Sequence, residues 1–483
     1  MDNKSNFRRS LVPTDDSPDS IWYSKRFLVA VVMFLCYVNS SMQINNMNIA
    51  VVEMTSNKTI TVAGNETIVR VAEFQWDTVT IGTVSSILWY GGLFAFTAGF
   101  FVDKFGGSGT CVISMMICGV LTILLPVILK NDYFGFLMCR FITGFFLNLF
   151  YASTSEVYSR WYPKKERSTL IAIGCNGANF GTAIAFPLFG FIAAEWGWQM
   201  VFYVSGAISI IISLLCLIIV RNTPSQDGLI TEAELSYILE ETDDASRNKM
   251  HHPYKIILSS GPVYAVCFGK FTLLWLTIIL SACLPLYVKD LTGRETGEIG
   301  LISSIPTIAQ IFMIPIAGLL LDRWKNTTSI KLTLMHKITV GIAYLASSLL
   351  FGIVVLASDF TTSMIIFVFI QIIASIVSVV IEPIIVGLSP SDSSVVSGLS
   401  KFLGCTAVII SRTCVGFLTI NHSLLEWNNC FLLTIGVLIF GTVIFIVLGS
   451  SEAQPWSSVS SDQERARLVK IKYRRRKSST NSF

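Results

Sequence analysis

Twelve mainly apolar stretches follow one another along this 483-residue chain, each bounded by charges, Pro or clusters of Asn, Asp and Gly. They run over 27–52, 78–101, 108–129, 133–158, 169–193, 199–220, 262–288, 298–321, 333–357, 363–388, 396–419 and 428–449. A helix needs about 20 apolar residues to cross roughly 30 Å of hydrocarbon. Inside lipid every backbone N–H and C=O must bond within its own segment. The pattern therefore predicts an all-α membrane protein of twelve transmembrane helices. Composition agrees: 52% of residues are hydrophobic and 14% charged, against about 25% charged in an ordinary soluble domain. Such a chain is not a soluble multidomain enzyme, because its apolar residues exceed what cores of that size can hide. A net charge of +4, with no basic cluster on one soluble face, gives no reason to expect a nucleic-acid partner.

The gap 221–261 holds Pro224, Asp227, Gly228, Asp243, Asp244 and the turn His251-His252-Pro253, and cannot stay in lipid. It divides the chain into an N-terminal tail 1–26, a six-helix bundle 27–220, a central loop 221–261, a second six-helix bundle 262–449 and a basic tail 450–483. Thr231-Glu232-Ala233-Glu234 in the loop has the form of a capping box and predicts a short surface helix. Cytoplasmic loops retain Lys and Arg, and with the N-terminus inside one side collects 27 of the 35 basic residues. Both termini and the central loop are thus expected in the cytoplasm. The run from Lys470 to Lys477 either touches anionic lipid of the inner leaflet or serves only to fix topology. No apolar run opens the chain, so the first span is expected to act as an uncleaved anchor. On the opposite side Asn57-Lys58-Thr59 and Asn65-Glu66-Thr67 match the glycosylation sequon. Asn57 and Asn65 are the expected acceptors; Asn39, inside a span, and Asn326, on the inner side, are not.

The eleven cysteines all lie in apolar stretches, with no CxxC and no nearby His. They read as small hydrophobes rather than as a disulfide framework or zinc site, and no metal or cofactor is expected. A charge inside a span costs a few kcal/mol or more, so each one is a functional candidate. Arg140 lies about 12 Å along the fourth span at ~1.5 Å per residue. Thr143, Gly144, Leu147 and Tyr151 follow it on the same helix face. Lys270 in the seventh span and Glu382 in the tenth have matching depths, which suits an ion pair that gates the inner side or relays a proton; snorkelling of Lys270 explains its position almost as well. Arg412 and Lys401 read as reaching the outer and inner interfaces. The first span gathers Asn39, Ser40, Ser41, Gln43, Asn45, Asn46 and Asn48, which either line a cavity or hydrogen-bond to neighbouring helices. Asn176 and Asn179 in the fifth span pose the same choice among Gly174, Gly177 and Gly181. Tyr90 and Tyr151 offer hydroxyls to a substrate.

The second and eighth spans end on one repeated motif, Gly99-Phe-Phe-Val-Asp103-Lys104 and Gly318-Leu-Leu-Leu-Asp322-Arg323. The Gly lets a neighbouring helix approach, and the carboxylate suits an adjacent helix N-terminus, so each copy can latch the two halves. Twelve spans in two halves with this repeat resemble the major facilitator superfamily, whose halves rock around a midplane site. Further segments resemble its anion:cation symporter family, which contains sialin, the vesicular glutamate transporters and the type I sodium/phosphate cotransporters. They include Ala50-Val51-Val52-Glu53-Met54, Phe74-Gln75-Trp76-Asp77, Arg140-Phe141-Ile142-Thr143-Gly144, Glu166-Arg167-Ser168, Gly300 through Pro306, Glu426-Trp427 and Gln454-Pro455-Trp456. The resemblance covers roughly residues 25 to 456. It implies that spans 1, 4, 7 and 10 line a central cavity and that Arg140 handles an organic anion.

Residues and resemblance together nominate Arg140, Tyr151, Asn45, Asn46, Tyr90 and Asn176 for substrate binding. Lys270, Glu382, Gly99, Asp103, Lys104, Gly318, Asp322 and Arg323 are nominated for gating or coupling. The chain also departs from the family. Ile44 stands where many members carry an arginine, Leu147 where many carry a carboxylate tied to proton coupling, and a polar pair of the tenth span is replaced near Ile384 and Gly387. The expected activity is secondary active transport of a small organic or inorganic anion, with H+ or Na+ as the candidate coupling ion. The expected site of action is the plasma membrane or a lysosomal or vesicular membrane. The alternative is a transport-inactive receptor or scaffold on the same fold. An enzyme is disfavoured, since no paired carboxylates or Ser/His/Asp set gathers at a membrane face.

Overall fold

The computed structural model describes residues 24–55, 58–62, 66–70, 73–76, 78–242, 254–292, 296–357, 359–390, 392–420 and 423–454. Among them twelve helices are long and apolar enough to cross a membrane. These are α1 Lys25–Thr55, α2 Thr80–Phe105, α3 Gly107–Asn131, α4 Tyr133–Trp161, α5 Arg167–Trp196 and α6 Trp198–Ile219 in the first half. The second half holds α7 Gly261–Thr292, α8 Leu301–Thr327, α9 Leu332–Leu356, α10 Phe360–Leu388, α11 Ser393–Leu418 and α12 Leu424–Leu448. Each overlaps one apolar stretch, so the all-α fold of twelve helices is as expected. Between α1 and α2 the strands Lys58–Val62 and Glu66–Arg70 pair antiparallel, an element too short to register in a search for spans. Asn57, Asn65, the His251-His252 turn and the basic tail lie outside the described residues. Because the helices alternate in direction, both described ends and the 220–242 segment share one face, called here the basic face.

The central loop is bolted to the first helix. Thr231 Oγ1 accepts from the Glu234 N–H at 3.3 Å and starts the helix Glu232–Glu241. Glu234 does not return that bond. Its carboxylate instead accepts from the Lys25 and Arg26 backbone N–H groups, each at 3.0 Å, placing negative charge where the α1 dipole favours it. The buried Arg26 side chain then bridges Glu234 at 3.3 Å and Glu166 at 2.8 Å.

Glycines set the tight helix contacts of the first half. A Cβ added at Gly144 would fall 1.9 Å from the Leu88 carbonyl oxygen, and one at Gly177 would fall 2.1 Å from that of Phe34. Small residues permit such backbone approach where packing, not the hydrophobic effect, joins helices. Gly144→Ala is expected to cost at least about 2 kcal/mol through overpacking, read as a fall in the melting temperature of the detergent-solubilised protein. Gly436→Ala, where nothing lies within 4 Å, is the control that stays unchanged. The second half is packed differently, around the rings of Tyr287, Phe351, Phe367, Trp427 and Phe431.

The polar side chains of α1 bond to neighbouring helices. Asn39 Nδ2 donates to Ser209 Oγ of α6 at 2.9 Å, and Ser41 Oγ shares a hydrogen with Thr182 Oγ1 of α5 at 2.6 Å. Gln43 Nε2 donates to the Ser205 carbonyl at 3.0 Å while its Oε1 accepts from Thr122 Oγ1 of α3 at 2.7 Å. Of the two readings left open by the sequence, helix-to-helix bonding holds for these residues. The reason is that each finds a complementary group on α3, α5 or α6, and a bonded polar group is far cheaper in hydrocarbon than an unbonded one, although among the described residues Asn39 Oδ1 is left without a partner.

The two halves meet along a seam of α5 against α8 and α2 against α11. A Cβ at Gly318 would lie 2.8 Å from Ala172 Cβ, and one at Gly398 would lie 2.4 Å from the Ala95 carbonyl oxygen. At the basic face Asp322 accepts from the Ser168 N–H at 3.3 Å, the Thr169 N–H at 2.7 Å and Thr169 Oγ1 at 2.8 Å. This carboxylate caps α5 across the seam. Arg323 is exposed, and Lys325 supplies the cross-seam cation instead, donating to the Lys164 carbonyl. In the first copy of the motif Gly99 is buried, Asp103 is exposed, and the Lys104 ammonium lies 5.3 Å from the centre of the Phe105 ring.

Candidate functional site

Midway along the seam lies a cavity of about 220 Å³, far above the ~10–15 Å³ that one water requires. Helical spacing explains its lining. Tyr37 and Ile44 of α1, Asn148 and Tyr151 of α4, Cys175 and Asn179 of α5, Lys270, Leu274 and Thr277 of α7, and Ser378 and Glu382 of α10 all face it. Within each helix these positions are three, four or seven apart and so share one face. Trp89 of α2, Gln310 and Ile314 of α8, and Lys401 and Cys405 of α11 complete the wall. Two irregular turns adjoin it: a 3₁₀ stretch Gly92–Thr97 in α2 and a π-helical turn Ile279–Cys283 in α7. Such departures inside long helices mark functional sites and hinges.

The charges in this space do not balance. Lys270 Nζ donates to Glu382 Oε1 in a buried ion pair. The Lys401 ammonium sits 4.3 Å from the centre of the Tyr151 ring, a cation–π contact. The Tyr151 hydroxyl is fixed in turn by Ser40 Oγ at 2.7 Å. Among the described residues Lys401 has no carboxylate within 4 Å, although Glu382 feels both lysines electrostatically. Two ammonium groups against one carboxylate leave a surplus positive charge in a low-dielectric space. Neutral donors and acceptors surround it: Tyr37, Asn148, Asn179, Gln310, Thr277 and Ser378.

Comparison with known proteins decides the family. The model described as Major Facilitator Superfamily matches residues 29–349 and 266–480. The chain belongs to the Major Facilitator Superfamily. Vesicular glutamate transporter 2 of Bos taurus is 25% identical over 451 residues, covering 91% of this chain and 76% of the relative. Vesicular glutamate transporter 3 of Danio rerio is 26% identical over 444 residues, covering 90% and 74%. The uncharacterized transporter slc-17.2 of Caenorhabditis elegans is 27% identical over 470 residues, covering 91% and 94%. Each of these relatives is similar to the chain over about nine-tenths of its length, at an identity that marks it as a divergent member of the superfamily. The solved proton:xylose symporter XylE superposes with a TM-score of 0.68 at 11% identity, covering 89% of this chain and 97% of that one. FucP in its outward conformation gives 0.62 at 12% identity, covering 87% and 99%; at such identity the likeness shows the fold. The protein is an integral multi-pass membrane protein and a secondary transporter of the superfamily, not an enzyme.

Within this superfamily fold the nominated residues separate into two groups. Lys270, Glu382 and Tyr151 come together at the cavity. Arg140 does not: it is 1% exposed, absent from the cavity wall, and its Nη1 donates to Asn46 Oδ1 at 3.1 Å. Asn46 also donates to Ser205 Oγ at 3.3 Å, so both belong to the bonding of the first half, Asn46 on α1 and Arg140 on α4, and neither lines the cavity. Asn45 donates to the Ser41 carbonyl at 2.9 Å. Asn176 Nδ2 donates across the seam to the Ile311 carbonyl at 2.8 Å. That carbonyl is the one Pro315 leaves without a helical partner, so Asn176 closes a backbone gap while Asn179 lines the cavity. Tyr90 is 43% exposed and lies outside the wall, and its neighbour Trp89 faces in.

Lys401, expected at the inner interface, lines the cavity instead. It begins two turns inside α11, and Cys405, Val408 and Arg412 follow it at four, seven and eleven, a stripe that places them on one face. Arg412 likewise does not run out to the surface; its guanidinium stands 6.0 Å from the centre of the Trp89 ring.

Proposed function

We propose that the protein moves a small organic anion by alternating access, with the anion held at the central cavity against Lys401. The single observation that carries this reading is the unbalanced charge: two lysines against one glutamate, in a space lined by both halves. A buried ammonium without a carboxylate is costly, and an anionic substrate removes that cost on binding. Apolar walls from Trp89, Ile44 and Leu274 suit a carboxylate with a hydrophobic body. Ile44 and Leu147, which replace family charges, do not empty the site, because Ile44 forms cavity wall and Leu147 packs with Leu88 and Cys118. The Lys270–Glu382 pair is the coupling element: protonation of Glu382 or arrival of a cation beside it frees Lys270 to face the substrate. The nominated latch at Gly318 and Asp322 holds the basic face closed in this state.

The test is uptake of labelled carboxylates, phosphate and urate by proteoliposomes of the purified protein, with and without a pH gradient, a voltage or sodium. Accumulation of an organic carboxylate under one of these gradients is expected. No accumulation of any anion under any of them overturns the transport reading in favour of a receptor or scaffold.

A further inference from the structure

The face of α11 that carries Lys401 holds a second cation. Ser393 starts this helix at the basic face, where its Oγ donates to Glu156, so the helix runs away from that face. Arg412 comes eleven residues after Lys401, about 16 Å further along at ~1.5 Å per residue and on the same side of the helix. Helical side chains lean toward the N-terminus of their helix, so that of Arg412 leans back toward the central cavity. There it meets the other half: the guanidinium stands against the Trp89 ring, and Trp89 is part of the cavity wall. Arg412 is half-buried, and its Nε is buried without a hydrogen-bond partner among the described residues. No described carboxylate lies within 4 Å of it; the group that acts on it electrostatically is the Cys283 thiol of the π-helical turn in α7. An arginine that had snorkelled to the headgroups would give its Nε to water. A donor kept inside with no acceptor is costly, and an anion at this place relieves that cost.

We infer that Arg412 and Trp89 form a second anion site, beyond the central cavity from the basic face, for an organic carboxylate with an apolar body. The guanidinium fork matches the two carboxylate oxygens, and its free Nε–H supplies one of the donors. The indole offers the apolar body a flat surface. It also joins the two sites, because the same ring is wall to the central cavity. Trp89 comes from the first half and Arg412 from the second, so the site changes shape whenever the halves rock. While Asp322 holds the basic face together, the far side is the approach, and an anion taken up at Arg412 has Lys401 as the next cation along the same helix face. That order of travel rests on the anion-transport reading; the binding itself does not.

The experiment is equilibrium binding of radiolabelled benzoate to the purified full-length protein in detergent, with benzamide, the same ring without the charge, as the control competitor. The Lys401→Gln protein isolates the second site. It is expected to keep saturable benzoate binding that benzamide does not displace. Adding Arg412→Gln in that background is expected to weaken the binding about tenfold, the loss of one charge-assisted contact, and Arg412→Lys, which keeps the charge without the fork, to weaken it less. Arg412→Gln should melt no lower than the parent, because it removes a cation that has no carboxylate, a result that misfolding does not produce. The parent is expected to bind two equivalents and Arg412→Gln alone one, a count that stands even if the Lys401 variant does not fold. The inference is overturned if folded Lys401→Gln protein binds no benzoate, or if Arg412→Gln leaves binding as it was. Binding indifferent to Lys401→Gln but lost with Arg412→Gln would keep this site and sink the central one.

Discussion

Lys401→Gln is expected to cut the initial rate of anion uptake by about 30- to 4,000-fold, because losing one partner of a desolvated charge pair costs roughly 2–5 kcal/mol and each 1.4 kcal/mol is tenfold. The ammonium lies against the Tyr151 face with no carboxylate of its own, so its charge is available to a substrate in a way that the charge of Lys270 is not. Lys401→Arg keeps the charge and the cation–π contact, and should retain a measurable fraction of the rate. Tyr151→Phe removes the hydroxyl bonded to Ser40 while leaving the ring, and is expected to change the rate only a few-fold. These variants are compared in proteoliposomes at equal protein density. If Lys401→Gln transported at the parental rate, the cation at the substrate would have to be another residue.

The second large effect concerns the buried pair. Glu382→Gln leaves Lys270 charged and unpaired in the cavity wall, which destabilises by about 3–5 kcal/mol when a buried ion pair loses one member. The melting temperature should fall markedly, and so should gradient-driven uptake. Lys270→Gln should behave in the same direction. The double variant Lys270→Gln with Glu382→Gln removes both charges and is expected to recover most of the lost stability without recovering coupled uptake. This cycle separates the pair's structural worth from its role in coupling, because the interaction term is read from the failure of the singles to add. A double variant as unstable as the sum of its singles would show that the two groups do not act as a pair.

The fold was legible because lipid allows so few solutions. Twelve apolar runs of spanning length leave a helix as the one structure each can adopt, and Asp322 at the end of its motif told correctly that a carboxylate would meet a helix N-terminus. The site was only partly legible. Matching depth was enough to pair Lys270 with Glu382. Depth says nothing of which way a side chain faces: Arg140, Asn46 and Asn176 all lie deep, yet turn toward helices of their own half or toward the backbone gap at Pro315. Lys401 failed for the opposite reason. The apolar stretch begins at 396, only five residues before it, so it reads as near an end, whereas α11 begins at Ser393 and sets Lys401 two turns inside the helix.

The seam at the basic face has a consequence for how readily the protein changes state. What holds it is largely carboxylate against backbone N–H, at Asp322, and hydroxyl against carboxylate, where Ser393 Oγ donates to Glu156 at 2.9 Å. Each group can take water as a substitute once the helices part, so opening is an exchange of partners, with a net change per bond of about 1.5–3 kcal/mol, the range for bonds to a charged group. The bonds of Asn39, Gln43 and Asn46 in α1, by contrast, are fully buried inside the first half. The first half therefore moves as one piece, and the balance between open and closed rests on hydration of a few groups at the basic face. Osmolytes that lower water activity should bias the protein toward the closed seam without touching the central cavity.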